Sequence, residues 1–281
     1  MFISALRSDP ETLKTFRKMI FRSTAYAISA YYITYILEKG LIVCGALLKG
    51  FTVDLKYNHT RVLAEYQYWD QETVLLIYLI PFFLQALVLI FFYIRFINME
   101  FKAHYLKIFI LWLMFFIVYR LFGLFPGHVI LKTGIYHVLD WLYIGKVYGI
   151  IASGISAIIF IFIGFQILRG IIVLSGTYHF HIRDMGIPNL IFASILNPLI
   201  LVSVVSFLFY LPDIPEEEIL GLILVIMLNT YIFIAMYFMD PNLFSFKEKV
   251  IEKNKPEWIL TLTLIAVLFL RLILDVNITG I

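Results

Sequence analysis

The hydrophobic positions gather in long runs, and short charged loops separate these runs from one another. A hydrocarbon core of about 30 Å requires about 20 mostly apolar residues in a helix, and seven runs meet or approach this length. They occupy residues 24–48, 74–94, 105–122, 148–174, 187–211, 219–239 and 258–274. The pattern predicts an all-α polytopic membrane protein, a single domain over residues 1–281 with about seven transmembrane helices (six to eight).

A different period follows the first run, where apolar and polar residues alternate on both sides of a turn at 58–60. This period of two predicts a β-hairpin at residues 50–70. Its apolar members are Phe51, Val53, Leu55, Tyr57, Val62 and Tyr66. A lone hairpin is only marginally stable in water, so we expect its apolar face to rest on the bilayer, on the helices or on a partner. An unpaired edge could accept an extended peptide by strand addition.

Composition strengthens the membrane assignment. The mean hydropathy is +0.93, 62% of the residues are apolar and 15% are charged, whereas soluble domains carry about 25% charged residues. These values exclude a water-soluble enzyme and a disordered protein, and the single Cys44 excludes an intramolecular disulfide. A net charge of +3, with its basic residues in separate loops, indicates no nucleic-acid partner.

The distribution of lysine and arginine predicts the orientation. With residues 1–23 as a cytoplasmic N-terminal segment, the cytoplasmic loops and span ends hold thirteen basic residues and the other side holds five. Those five are Lys49, Lys56, Arg61, Lys132 and Lys146. The positive-inside rule then favours a cytoplasmic N-terminus and an outer C-terminus, in the cytoplasmic (inner) membrane of a bacterium. Residues 124–147 are predicted to form an interfacial loop or an amphipathic helix on the outer side.

Three of the charged residues inside apolar runs are candidates for an intramembrane site. Glu38 and Lys39 are adjacent in the first run, and Arg120 lies in the third. Such residues cost a few kcal/mol each to insert, so they usually face the protein interior or a wet cavity. Two interpretations of Glu38 stay open. In the first, Glu38 pairs with a residue of another helix such as Arg120. In the second, Glu38 handles protons or binds a ligand.

Candidate reactive groups outside the spans are few. His179 and His181, with Asp184 close by, form the densest polar cluster, and histidines two apart on a strand could share a metal ion. A surface loop that carries two histidines is the simpler interpretation. The sequence otherwise predicts no catalytic residue and no cofactor.

The order of elements over residues 25–95 resembles the site-2 protease type of intramembrane metalloproteases. A charged helix precedes the turn at Gly50, the hairpin and a proline-containing span at Pro81. That family carries His-Glu-x-x-His on its first core helix, often with glycine in the fourth position. The corresponding residues here are Leu37, Glu38, Lys39, Gly40 and Leu41.

The resemblance implies a pseudoprotease, because leucine stands where both zinc-binding histidines would be and cannot ligate a metal. The family's late aspartate ligand is also missing, since no aspartate follows Asn197 and Pro198 until Asp213. Bacterial members with this core commonly keep the hairpin in the cytoplasm, whereas the charge bias here places it outside.

Three functions remain open from the sequence. The first is a non-catalytic binding or assembly component, which contacts the lipid bilayer and another membrane protein or peptide segment through the hairpin. The second is a transporter or channel subunit that moves a small molecule or ion past Glu38 and Lys39, which a polar cavity reaching Glu38 would favour. The third is a membrane enzyme that uses His179 and His181.

Overall fold

A computed structural model describes residues 10–65, 68–99, 104–178, 186–238 and 259–278, and most of this part of the chain is helical. The helices are α1 (Pro10–Leu48), α2 (Gln71–Asn98), α3 (His104–Val118), α4 (Phe125–Leu131), α5 (Tyr136–Trp141), α6 (Lys146–Tyr178), α7 (Ile187–Tyr210), α8 (Glu216–Phe238) and α9 (Ile259–Ile273). The strands are β1 (Thr52–Lys56), β2 (Thr60–Leu63) and β3 (Asp275–Ile278).

Five helical stretches are long and apolar enough to cross a membrane. They are Leu13–Leu48, Gln71–Asn98, Leu106–Leu131, Lys146–Thr177 and Ile187–Tyr210. The chain is therefore an integral membrane protein of the all-α class, as predicted. The sixth and seventh apolar runs form α8, with 23 residues, and α9, with 15 residues.

Three π-helical turns interrupt the helices, each a few residues before a proline. The turns are Leu75–Leu79 in α2, Tyr119–Gly123 between α3 and α4, and Phe192–Leu196 in α7. The prolines that follow are Pro81, Pro126 and Pro198. Proline removes a backbone donor and crowds the preceding turn, and a local π-helical adjustment accommodates it inside a membrane helix.

Helix α3 lies in the middle of the bundle and packs against α1, α2 and α6. In the most apolar 18-residue stretch between Leu106 and Leu131, 83% of the residues are buried, against 22% in α2. Helix α2 exposes Phe83, Leu87 and Phe91. Because lipid tails are as apolar as these side chains, this face is suited to the hydrocarbon core.

The predicted hairpin is present, and it belongs to a three-stranded sheet. Strands β1 and β2 pair antiparallel, with Val53 opposite Val62. Strand β3 pairs with the other edge of β1, so that β1 is the central strand. The expectation of an open edge therefore fails for β1. Tyr66 lies outside the described residues.

The hairpin rests on the helices, which is one of the three supports that we expected. Val53 is fully buried in a cluster with Val43 and Ala46 of α1 and Ile77 of α2. On the last helix, Arg271 donates a hydrogen bond to the carbonyl of Leu208 at 3.0 Å. The sheet and the ends of α7 and α9 thus lie at one end of the bundle.

Residues 124–147 form two short helices, α4 and α5, which the turn at Lys132–Gly134 separates. Gly134 has a φ of +52°, and a Cβ there would lie 2.5 Å from His128 Nδ1, so glycine is required. Val129, Ile135 and Val138 are buried. These three side chains therefore pack against the protein itself, whereas Ile130 and Tyr143 of the same segment are exposed.

Candidate functional site

The structure brings two of the three intramembrane charged residues together. Arg120 Nη1 lies 3.4 Å from Glu38 Oε2, and both residues are buried. Arg120 is positioned by the π-helical turn that follows α3. Lys39, which follows Glu38 along α1, lies instead with its Nζ 5.7 Å from the centre of the Tyr35 ring.

A third charged residue, Glu218, completes this cluster and was missed from the sequence. Arg120 Nη1 donates a hydrogen bond to Glu218 Oε1, and Tyr119 Oη donates to Oε2 at 2.9 Å. Tyr31 and Tyr210 donate to the same carboxylate at 3.2 and 3.3 Å. Glu218 is only 4% exposed, so the protein shields this carboxylate from the surroundings.

Glu218 gave only a weak signal in the sequence, because it follows two other glutamates in an acidic segment that the sequence pattern assigns to a loop. Its depth depends on how closely α8 approaches the π-helical turn at Tyr119. A Cβ on Gly221 would lie 2.5 Å from Tyr119 Oη, so glycine permits this approach. The only local signal is the position of Glu218 at the last charge before the apolar run of α8.

Tyrosine rings surround the guanidinium of Arg120. Its Cζ lies 4.8 Å from the centre of the Tyr31 ring, 5.2 Å from that of Tyr35 and 5.7 Å from that of Tyr119. Ring faces stabilise a cation at such distances. The Tyr35 hydroxyl also donates to the carbonyl of Tyr57 at 2.6 Å, which connects the cluster to the hairpin.

Beside this cluster lies a cavity of about 360 Å³ at the hairpin end of the bundle. Helices α1, α2, α4 and α5, the π-helical turn, the start of α8 and the hairpin all contribute to its wall. Its charged and amide side chains include Glu38, Lys39, Arg61, Gln85, Arg120 and Glu217. The volume is at the lower end of the range for small-molecule sites.

Many of the polar atoms in this wall make no hydrogen bond. In the part of the chain that the structure describes, twelve buried side-chain oxygen and nitrogen atoms make no hydrogen bond. Six of the twelve belong to residues that line the cavity, namely Glu38 Oε2, Thr60 Oγ1, Gln85 Oε1, Arg120 Nε, Arg120 Nη2 and Thr133 Oγ1. Because buried polar groups are almost always hydrogen-bonded, this concentration marks the cavity as a site for water or a polar ligand.

His137 adds a neutral polar group to the wall. Burial lowers the pKa of His137, while the Asp140 carboxylate opposes this shift more weakly. The His137 ring centre lies 5.3 Å from that of Tyr78 on α2. Near neutral pH His137 is therefore uncharged, and it can both donate and accept a hydrogen bond.

The structure also bears on the metal-binding candidates. Within residues 10–65, 68–99, 104–178, 186–238 and 259–278, no group of three or more His, Cys, Asp or Glu side chains could hold a metal ion. His179, His181 and Asp184 lie outside the described residues. Leu37 and Leu41, on either side of Glu38, are half-buried, and the Glu38 carboxylate faces a guanidinium.

Comparison with protein-family models, curated proteins and solved structures gave no match to this chain. The fold places it in the class of polytopic α-helical membrane proteins. Its function is therefore inferred from the cavity and the charged cluster.

Proposed function

We propose that this chain is a transporter or binding subunit of the bacterial inner membrane that takes up a small polar molecule in the cavity beside Glu38 and Arg120. A single observation carries the proposal: buried polar atoms without partners are concentrated around one cavity of ligand size. The sequence leaves three functions open, and this cavity favours one of them, which is movement of a small molecule past Glu38 and Lys39.

The connectivity of the sheet supports seven transmembrane helices. Strand β3 pairs with β1, and Asn58 Nδ2 donates to the Asp213 carbonyl at 3.3 Å, so the hairpin, the loop before α8 and the C-terminal strand share one end of the bundle. Between β1 and β3 the chain runs through α2, α3 with α4, α6, α7, α8 and α9. Six crossings return the chain to the same side, and α1 adds a seventh.

The bias of basic residues supports an outward-facing cavity, because it places the hairpin outside. In a Cys44→Ser background, Arg61→Cys on the exposed face of β2 should react with a membrane-impermeant maleimide on intact cells. Lys253, in the loop of residues 240–257, is one of the basic residues that the bias assigns to the cytoplasm, so Lys253→Cys should react only after the cells are permeabilised. The reverse pattern would place the cavity on the cytoplasmic side.

Water access to the cavity is the direct test of the proposed function. Gln85, 5% exposed, lines the cavity from α2, whereas Leu87, 60% exposed, faces away from it on the same helix. In a Cys44→Ser background in lipid nanodiscs, Gln85→Cys should react with a small water-soluble methanethiosulfonate, because water allows the thiolate to form. Leu87→Cys should stay unreactive in the hydrocarbon. An unreactive Gln85→Cys would refute the proposal.

As a second proposal, the chain is a non-catalytic assembly component. This proposal includes the resemblance to site-2 proteases in the order of elements. Its support is that β2 has no strand partner on its outer edge among the described residues, and that Leu63 on β2 is 52% exposed. If a membrane partner docks there, Leu63→Lys should abolish its co-purification and leave the labelling of Gln85→Cys unchanged. Retention of the partner would exclude this edge as its docking site.

A further inference from the structure

We infer that the ligand of this cavity is a small zwitterion, whose anionic group binds Arg120 and whose cationic group binds Glu38 and Gln85. The inference rests on the proposed binding function and specifies the chemical class of the ligand. Three features of the wall support it, which are an unused guanidinium edge, unused acceptors and the presence of buried charges of both signs.

The unused edge of Arg120 is suited to an anion. Glu38 and Glu218 both approach Nη1, whereas Nε and Nη2 make no hydrogen bond to any described residue. These two groups form one side of the planar guanidinium, and such a side matches two oxygens of a carboxylate or phosphate. Lysine does not offer this geometry.

The unused acceptors are suited to a cation. Glu38 Oε2 and Gln85 Oε1 have no hydrogen-bond donor among the described residues, and both side chains line the same cavity as Arg120. Glu38 Oε2 lies only 3.4 Å from Arg120 Nη1. A molecule of a few atoms can therefore present an anionic group to Arg120 and an ammonium to Glu38 at the same time.

Buried groups of both signs favour a ligand that carries both charges. Arg120 is a buried cation and Glu38 a buried anion at the cavity wall, whereas Lys39, Arg61 and Glu217 are half-buried or exposed. A simple anion would leave the acceptors of Glu38 and Gln85 unused, and a simple cation would leave the edge of Arg120 unused, which is costly for buried groups. A zwitterion binds to both.

Two sources offer this chemistry, a free α-amino acid and the phosphoethanolamine headgroup of a lipid. The test uses Thr133→Cys in a Cys44→Ser background as a reporter, because Thr133 lines the cavity without being a proposed ligand contact. The protein is placed in phosphatidylglycerol nanodiscs, and the rate of thiol modification is measured with a panel of small α-amino acids or with glycerophosphoethanolamine. A parallel sample contains phosphatidylethanolamine in the bilayer.

We expect at least one zwitterion to slow the modification about tenfold or more, while acetate and methylammonium at the same concentration do not. Protection by amino acids identifies a free ligand, and protection only by the ethanolamine compounds identifies a lipid headgroup. Modification that no zwitterion slows, or that acetate slows equally, would overturn the inference. The labelling of Gln85→Cys without ligand tests the proposed function separately.

Two variants connect the protection to the named contacts. Arg120→Lys keeps the positive charge beside Glu218 but lacks the second edge, so protection should be lost. If this variant does not fold, Gln85→Leu provides the alternative, because it removes one acceptor outside the ion cluster. Gln85→Leu should weaken protection several-fold with an unchanged melting temperature, and full protection in this variant would exclude Gln85 as a contact.

Discussion

Two regions that follow each other along the third apolar run are equally buried but are stabilised in different ways. At residues 112–116 the rings of Trp112, Phe115 and Phe116 pack with centroid distances of 5.1–5.9 Å in a dry core. About one turn later, the chain places Arg120 among carboxylates and tyrosine hydroxyls next to a cavity. The transition coincides with the π-helical turn at Tyr119–Gly123.

The two regions differ in the interactions that stabilise them. Apolar side chains gain little from meeting each other in lipid, so the dry region depends on close van der Waals packing. The polar region depends on charges that compensate each other, and its hydrogen-bonding groups outnumber their protein partners. A cavity beside the polar region can therefore be filled by water or a polar ligand, whereas the apolar cavity of about 420 Å³ that Leu111 and Met114 line is suited to apolar groups.

The largest expected effect comes from removing the central charge. Arg120→Met would leave Glu38 and Glu218 buried without a counter-ion, and breaking a buried pair in this way costs about 3–5 kcal/mol. The free energy of unfolding in mixed detergent micelles measures this loss. Lys146→Met, at an exposed position, serves as the control with the same loss of charge. A loss of stability no larger than that of the control would mean that the cluster does not stabilise the fold.

A void in the aromatic region should cost somewhat less. Phe115→Ala would leave a void of about 100 Å³, and at about 24 cal/mol per Å³ the void costs about 2 kcal/mol. The transfer contribution that soluble proteins add is small here, because the alternative surroundings of the ring are lipid. The same unfolding measurement applies, with the exposed Phe91→Ala on α2 as the matched control. If Phe115→Ala lowered the free energy of unfolding more than Arg120→Met does, packing rather than charge would dominate the stability of this helix.

The two carboxylates beside Arg120 should contribute unequally. Glu218→Gln weakens hydrogen bonds from three tyrosines and one arginine and should cost about 2 kcal/mol. Glu38→Gln disturbs one contact of 3.4 Å, in which the carboxylate oxygen Oε2 accepts no hydrogen bond, so it should cost less than about 1 kcal/mol. Unfolding of both variants side by side makes the comparison, and equal losses would assign Glu38 a structural role like that of Glu218.

The smallest effect is a dependence on pH at the outer rim of the cavity. Because the pKa of His137 is lowered in the folded protein, the unfolded chain binds more protons between that lowered value and the unfolded pKa of about 6.5. Stability contributed by neutral His137 is therefore present above pH 6.5 and declines as the pH falls through this window. Thermal melting across this range should show a slope that His137→Gln reduces, and an unchanged slope would contradict the assignment.

Local patterns predicted most of the secondary structure. The alternation from Phe51 to Tyr57 predicted β1, and the long apolar runs predicted the helices, because burial repeats with the period of each element. Strand β3 was not predicted, since four residues after a helix carry too short a pattern. Its formation depends on the free edge that β1 offers it from the other end of the chain.

The site also has a part that the sequence predicts and a part that it does not. Sequence alone determined that the chain uses lipid as its solvent and that Glu38 and Arg120 lie at depth, because a charge in an apolar run is visible locally. Only the tertiary structure decided that Glu218 joins them and that a cavity opens beside them. These features depend on the rotation and spacing of helices that are distant in sequence. Neighbouring glutamates look equivalent in the sequence and differ only in the residues that pack around them.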